Sequence, residues 1–154
     1  MGKDHLTKEQ RSSCMSKIRS KWTGPEKKIH NFLIRKKIRH RMHPKMQGSP
    51  DLILPEKKVA VFLHGCFWHG CKRCYRKPVH NARFWKTKIE NNMKRDKGGL
   101  AELKKRGWHT LVLWEHEIND SLEQCYLKLS RFRQTHRSSC RSPRGRHHPV
   151  PLDR

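Results

Sequence analysis

The stretch Leu63-His64-Gly65-Cys66-Phe67-Trp68-His69-Gly70-Cys71-Lys72-Arg73-Cys74 packs three cysteines, two histidines and two aromatics into twelve residues, directly after the apolar run Val59-Ala60-Val61-Phe62. A strand followed by such a loop delivers several ligands and a stacking surface to one end of a sheet. Cys66, Cys71 and Cys74 are spaced C-x4-C-x2-C, so their thiolates can converge on one ion, and Zn2+ suits a tetrahedron of Cys and His ligands. The fourth ligand must come from elsewhere. His116 is the best candidate, because it stands just past the apolar strand Trp108 to Trp114, as Cys66 stands just past the strand Val59 to Leu63. If those strands run parallel in one sheet, both ligands emerge at the same edge. A site closed by three cysteines and a histidine leaves no position for water, so its zinc is read as structural.

The chain of 154 residues suits one core, and its 37 Lys and Arg against 13 Asp and Glu leave a formal charge of +24. That excess marks a chain that meets phosphates, since each neutralised phosphate releases condensed counterions. A membrane surface is disfavoured, because no long apolar segment or broad oily helix face accompanies the charge. The first six residues lack the apolar core of a signal peptide. Three clustered cysteines without an export signal favour metal binding in a reducing cytoplasm over disulfides, and Cys14, Cys125 and Cys140 are read as free thiols.

Along the chain, Thr7-Lys8-Glu9-Gln10 has capping-box spacing and opens a basic helical arm over residues 1–22. The main domain spans 23–133. Thr23-Gly24-Pro25-Glu26 starts a helix with Ile29, Phe32 and Leu33 as its buried stripe. A short strand is expected within Ile38 to His43, a turn at Gly48-Ser49-Pro50, and an antiparallel pair from Asp51-Leu52-Ile53-Leu54 and Val59 to Leu63. Phe84, Trp85, Lys88, Ile89, Asn92 and Met93 mark one face of a long helix ending at Gly107, with a weak point expected at Gly98-Gly99. Trp108 to Trp114 reads as a strand buried on both faces, and Ser121 to Phe132 as a final helix. The tail, 134–154, reads as disordered; it holds five Arg and one Asp, which leaves +20 for the rest.

A hard cation needs a separate site. A short hairpin brings the Asp51 carboxylate near the backbone carbonyl of Leu63, and oxygen ligands of that kind, completed by water and phosphate, suit Mg2+. His64 and His69 straddle the same loop and can serve as base or phosphate clamp. Taken alone, Asp51 reads as a turn aspartate and Glu26 as a capping residue.

His64-Gly65-Cys66-Phe67-Trp68-His69, with Gly48-Ser49-Pro50-Asp51 upstream, strongly resembles the very-short-patch repair (Vsr) mismatch endonucleases. The resemblance continues through Arg11-Ser12-x-x-Met15, Pro25-Glu26-Lys27, Phe84-Trp85-x-x-Lys88-Ile89, Asn92-x-x-Arg95-Asp96, Gly107-Trp108 and Trp114-Glu115, covering about residues 10 to 118. It implies an α/β, restriction-endonuclease-like central mixed sheet flanked by helices, with a structural zinc site. It implies a Mg2+-dependent endonuclease that nicks one DNA strand 5′ of the T in a T:G mismatch left by deaminated 5-methylcytosine. By carry-over, Asp51 and the Leu63 carbonyl bind Mg2+, His69 is the base, His64 steadies the scissile phosphate, Glu26 holds metal-bound waters and Asp96 supports. Phe67, Trp68 and Trp85 form an aromatic wedge beside the mismatch, with Met15 approaching from the minor groove and Lys88 on the DNA. The family's fourth zinc position varies between cysteine and histidine; here it is His116. A monomer acting on nucleoid DNA in a bacterial cytoplasm is expected, with mismatch-repair proteins as further partners. The rival classes are a zinc-stabilised nucleic-acid-binding module, which has no need of Asp51, His64 and His69, and a restriction-type endonuclease of the same fold.

Overall fold

The computed structural model describes residues 7, 9, 10, 13, 16, 21–79 and 81–132. Met15, Cys14, Cys140 and the tail lie outside the described residues. At the start of the arm, the Gln10 N–H donates to Thr7 Oγ1 and the Thr7 N–H to Gln10 Oε1, the reciprocal bonds of a capping box.

Helix α1 (Gly24–Arg35) starts at Thr23, held in extended conformation, with proline in its first turn. Its stripe of Ile29, Phe32 and Leu33 is buried. Strand β1 (Arg41–Met42) pairs antiparallel with β2 (Leu52–Leu54), which pairs antiparallel with β3 (Val59–His64). A 3-10 turn over Pro55–Lys57 closes the β2–β3 hairpin, with Lys58 left-handed at φ 49°. Helix α2 (Ala82–Lys105) carries the chain over to β4 (His109–Trp114), which lies parallel to β3 in register Val59↔His109 through His64↔Trp114. Helices α3 (Glu115–Asp120) and α4 (Leu122–Ser130) complete the described chain. The sheet order is β1-β2-β3-β4, a mixed sheet flanked by helices. No described helix is long and apolar enough to cross a membrane.

Alternation along β3 divides the core. Val59 and Val61 face Ile29, Leu33, Leu52, Leu113, Ile118, Cys125 and Leu129, the side of α1, α3 and α4. Ala60 and Phe62 face Ile53 and Leu103, the side of α2. Truncating a fully buried residue such as Leu33 or Leu113 to alanine costs about 2–5 kcal/mol in such packing.

Two expectations need correction. Strand β4 is not buried on both faces: Leu113 is its one fully buried residue, and β4 is an edge strand of the described sheet. On α2, Phe84 is 61% exposed and Met93 49% exposed, so the buried face is narrower than the apolar pattern, resting on Ile89 and Leu103. The final helix is where the sequence places it, Leu122–Ser130, with Ser121 (φ −161°) capping it by accepting the Gln124 N–H, and the short helix α3 just before it is an addition. Helix α2 runs through Gly98-Gly99 without a break. Gly99 lies against the 47–49 loop so closely that a β-carbon there would stand 2.8 Å from the Gly48 carbonyl oxygen, whereas one at Gly98 would meet nothing.

Candidate active site and metal centre

Because β3 and β4 are parallel and in register, the chain leaves both strands at the same sheet edge. Cys66 leaves from β3. The loop then winds back through tight turns, with the Cys71 N–H donating to the Cys66 carbonyl (3.0 Å) and the Tyr75 N–H to the Cys71 carbonyl (2.9 Å), which turns the Cys71 and Cys74 thiols inward. His116, in the first turn of α3 rather than on a loop, arrives from β4. The ligand atoms of Cys66, Cys71, Cys74 and His116 all lie within 4.8 Å of one another. Cys66 Sγ is 3.2 Å and Cys71 Sγ 3.6 Å from His116 Nδ1. Ligands about 2.0–2.3 Å from a tetrahedral ion stand roughly 3.5 Å apart, so the donor set fits Zn2+. Without a cation, burial pushes the Cys66 thiol up to about 12, despite the His116 contact; a dication at the centre reverses that preference.

On the inner side of this loop lies a cleft of about 1180 Å³, whose lining includes Glu26, Asp51, Leu63, His64, Trp68, His69, Lys88, Asp96 and Glu115. Asp51 precedes β2 and accepts the Leu63 N–H on Oδ2 at 2.7 Å, which brings the two residues expected to hold Mg2+ together across the hairpin. Burial raises the Asp51 pKa; the Leu63 N–H opposes this and the Glu26 charge adds to it. A half-buried carboxylate in that state fits a hard cation.

His64 and His69 stack face to face, 4.0 Å between centroids and 7° from parallel. His69 Nδ1 hydrogen-bonds Asp96 Oδ2, and His64 Nε2 stands 3.8 Å from the same oxygen. With Nδ1–H donated to the carboxylate, Nε2 is the His69 nitrogen left to take a proton. Burial, then the neighbouring His69 charge, lower the His64 pKa to about 4, and its buried Nε2 has no hydrogen-bond partner among the described residues. Burial works against ionisation of Asp96, but the His69 bond and the histidine charges outweigh it and hold Asp96 below its ordinary value.

Glu26 is more than a capping residue. It is 4% exposed and accepts from the Trp22 N–H (2.6 Å), the Thr23 hydroxyl (2.9 Å) and His43 Nε2 (2.6 Å). Sequence reading missed His43, which looked like one more cation in a basic stretch, and it missed two further contacts. Asn92 Nδ2 donates to the Trp68 carbonyl (3.0 Å), fixing the aromatic loop to α2, and Glu115 Oε2 accepts the Cys66 N–H (3.1 Å).

Phe67, Trp68 and Trp85 form one half-buried cluster. Phe67 stands 5.2 Å from Trp68 and 5.1 Å from Trp85, and Trp68 stands 5.8 Å from Trp85. The planes cross at 85°, 73° and 63°, so the three rings pack edge to face into a thick cluster rather than one flat surface. Lys88 lines the cleft one turn along α2 from Trp85.

Residues 3–76 match the family described as DNA mismatch endonuclease Vsr. The chain is 39% identical over 120 residues to the type II nicking enzyme V.XorIIP of Xanthomonas oryzae pv. oryzae, covering 76% of this chain and 88% of that one. It is 40% identical over 120 residues to the type II nicking enzyme V.NmeAIP of Neisseria meningitidis (76% and 85%). It is 33% identical over 111 residues to the DNA mismatch endonuclease Vsr of Escherichia coli (70% of each). The chain belongs to the Vsr family of DNA mismatch endonucleases.

Proposed function

We propose that this chain nicks one strand of duplex DNA 5′ of the T in a T:G mismatch, by Mg2+-dependent hydrolysis on a restriction-endonuclease-like fold. The observation that carries the reading is the stacked His64–His69 pair on Asp96, in the same cleft as Asp51 and beside the aromatic cluster. A nucleic-acid-binding module has no use for that arrangement. The relatives named nicking enzymes support the cutting of one strand.

In this reading the Asp51 carboxylate and the Leu63 carbonyl hold Mg2+, which when bound supplies charge to offset that of the phosphate. His69 takes the proton of the attacking water at Nε2, and Asp96 steadies the resulting imidazolium. His64 donates to a phosphate oxygen, and an approaching anion favours its charged form. Glu26 accepts hydrogen bonds from water around the cation. Phe67, Trp68 and Trp85 open the step beside the mismatch, where unstacking costs least because pairing is already defective. Met15 meets the minor groove, Lys88 the DNA, and Cys66, Cys71, Cys74 and His116 hold a structural Zn2+ that stiffens the wedge loop. The enzyme acts as a monomer on cytoplasmic, nucleoid DNA and leaves a nick for repair proteins.

The test separates binding from cutting. Asp51→Ala removes a cation ligand and a negative charge near phosphate, so the variant should bind T:G duplex at least as well as the parent and not nick it. Equal loss of binding and cutting would make Asp51 a structural residue instead.

A further inference from the structure

His43 joins the Glu26 carboxylate to the backbone of Asp51, two of the acidic residues that line the cleft. Its Nε2 donates to Glu26 Oε2 at 2.6 Å, and its backbone N–H donates to the Asp51 carbonyl at 2.7 Å. Its φ of 44° lies in the left-handed region, which a residue with a β-carbon seldom occupies. Such a backbone persists when its surroundings hold it there, and here the main chain is tied to Asp51 and the ring to Glu26. The other two donors to Glu26, the Trp22 N–H and the Thr23 hydroxyl, come from the start of its own helix and fix it to α1 alone. Among the described contacts, His43 is what links Glu26 to the sheet. An ionised carboxylate offers about four acceptor sites. Oε2 receives Trp22 and His43, and Oε1 receives Thr23, which leaves Oε1 one acceptor site. That suits a hydrogen bond from water beside a cation better than direct ligation of the ion.

We propose that His43 is a positioning residue for the cation of the cleft, setting where Glu26 stands relative to Asp51. It acts through Glu26 and touches neither phosphate nor ion. The proposal rests on the proposed role of Asp51 as a cation ligand.

The experiment compares the parent with His43→Leu, which removes the donor, and His43→Gln, whose amide nitrogen replaces Nε2. Nicking of a T:G duplex is followed against Mg2+ concentration. Binding is measured with Ca2+ or EDTA on a T:G duplex carrying a non-hydrolysable linkage at the nick position, Ca2+ being another oxygen-seeking dication. His43→Leu should raise the Mg2+ concentration for half-maximal rate about tenfold, as expected for loss of a charge-assisted hydrogen bond. Its rate at saturating Mg2+ should stay close to the parent's, and its gain in binding from Ca2+ should disappear. His43→Gln should restore both. A folded His43→Leu with the parent's Mg2+ midpoint and Ca2+ response overturns the proposal, as does a His43→Gln variant impaired as badly as His43→Leu. If thermal melts show that His43→Leu does not fold, His43→Asn, whose amide is too short to reach Glu26, takes its place. Failure of the parent to prefer T:G would sink the mismatch reading and leave the Ca2+ comparison to decide on His43.

Discussion

His64 and His69 lie face to face, 4.0 Å apart and 7° from parallel, over one carboxylate oxygen of Asp96. Two imidazoles this close cannot both be charged cheaply; burial together with its neighbour pushes the His64 pKa to about 4, and it is His69 that holds the hydrogen bond to Asp96. The pair is therefore asymmetric before any DNA arrives.

That asymmetry makes stability depend on pH. The His64 pKa of about 4 in the folded chain lies below its ordinary value of 6.5, so between those values the unfolded chain binds a proton that the folded chain refuses. Stability is then full above about pH 6.5 and falls as the pH drops toward 4. Melting temperatures of DNA-free protein at pH 7 and pH 5 should differ more for the parent than for His64→Asn, with acid release of zinc common to both. Equal slopes would show that His64 is not held neutral.

Asp96→Asn keeps a polar group beside His69 but removes the carboxylate charge that its Nδ1 meets. Nicking should slow about a hundredfold, the lower end of what a general base contributes, while duplex binding persists. A variant that cuts at the parent's rate would leave His69 without a carboxylate partner in the reaction.

The thiol centre should be part of the fold. Cys71, 3% exposed, sits beside His116 with Cys66 and Cys74, so Cys71→Ser should lower bound zinc and melting temperature together. Metal analysis of folded parent protein should return about one zinc per chain. Soluble, folded protein without it would remove the site.

The two glycines of α2 should respond in opposite directions. Gly98→Ala meets open space and gains about 1 kcal/mol of helix propensity, whereas Gly99→Ala drives a β-carbon to 2.8 Å from the Gly48 carbonyl and costs about 1–3 kcal/mol. Thermal melts that move the same way for both would contradict the close approach of α2 to the 47–49 loop.

Trp68→Ala tests the wedge. Stacking contributes about 1–3 kcal/mol per aromatic, so binding to T:G duplex should weaken by roughly tenfold to a hundredfold. Binding to matched duplex, carried by Lys and Arg on phosphate, should change little and keep its salt dependence. Equal weakening on both duplexes would make Trp68 a packing residue.

Much of the sheet was legible because its signals are local. Alternating and continuous apolar runs marked β2, β3 and β4, and the placement of Cys66 and His116 beyond two strand ends needed only that those strands be parallel, as they are. The features that were not legible depend on tertiary placement. Nothing in the composition of Trp108 to Trp114 says that it is an outer strand, and nothing in the apolar spacing of α2 says that Phe84 and Met93 point to solvent. Gly99 looked like a flaw in a helix because its reason, the Gly48 backbone, lies far back in the chain. His43 escaped for the same cause: its contacts to Glu26 and Asp51 arise from a left-handed backbone within a basic stretch. Asp96 was named only through family resemblance, and its place beneath both histidines comes from how α2 crosses the end of β3.

The most direct measurement is a nicking assay on strand-labelled duplexes that differ at one pair: T:G, its matched C:G and T:A counterparts, and other mismatches, each with Mg2+ or EDTA. The proposal predicts one nick, in the T strand and 5′ of the T, in the T:G duplex with Mg2+, and none with EDTA or with Asp51→Ala. Equal cutting of matched and mismatched duplexes, cutting of both strands, or tight binding without any cut would contradict it.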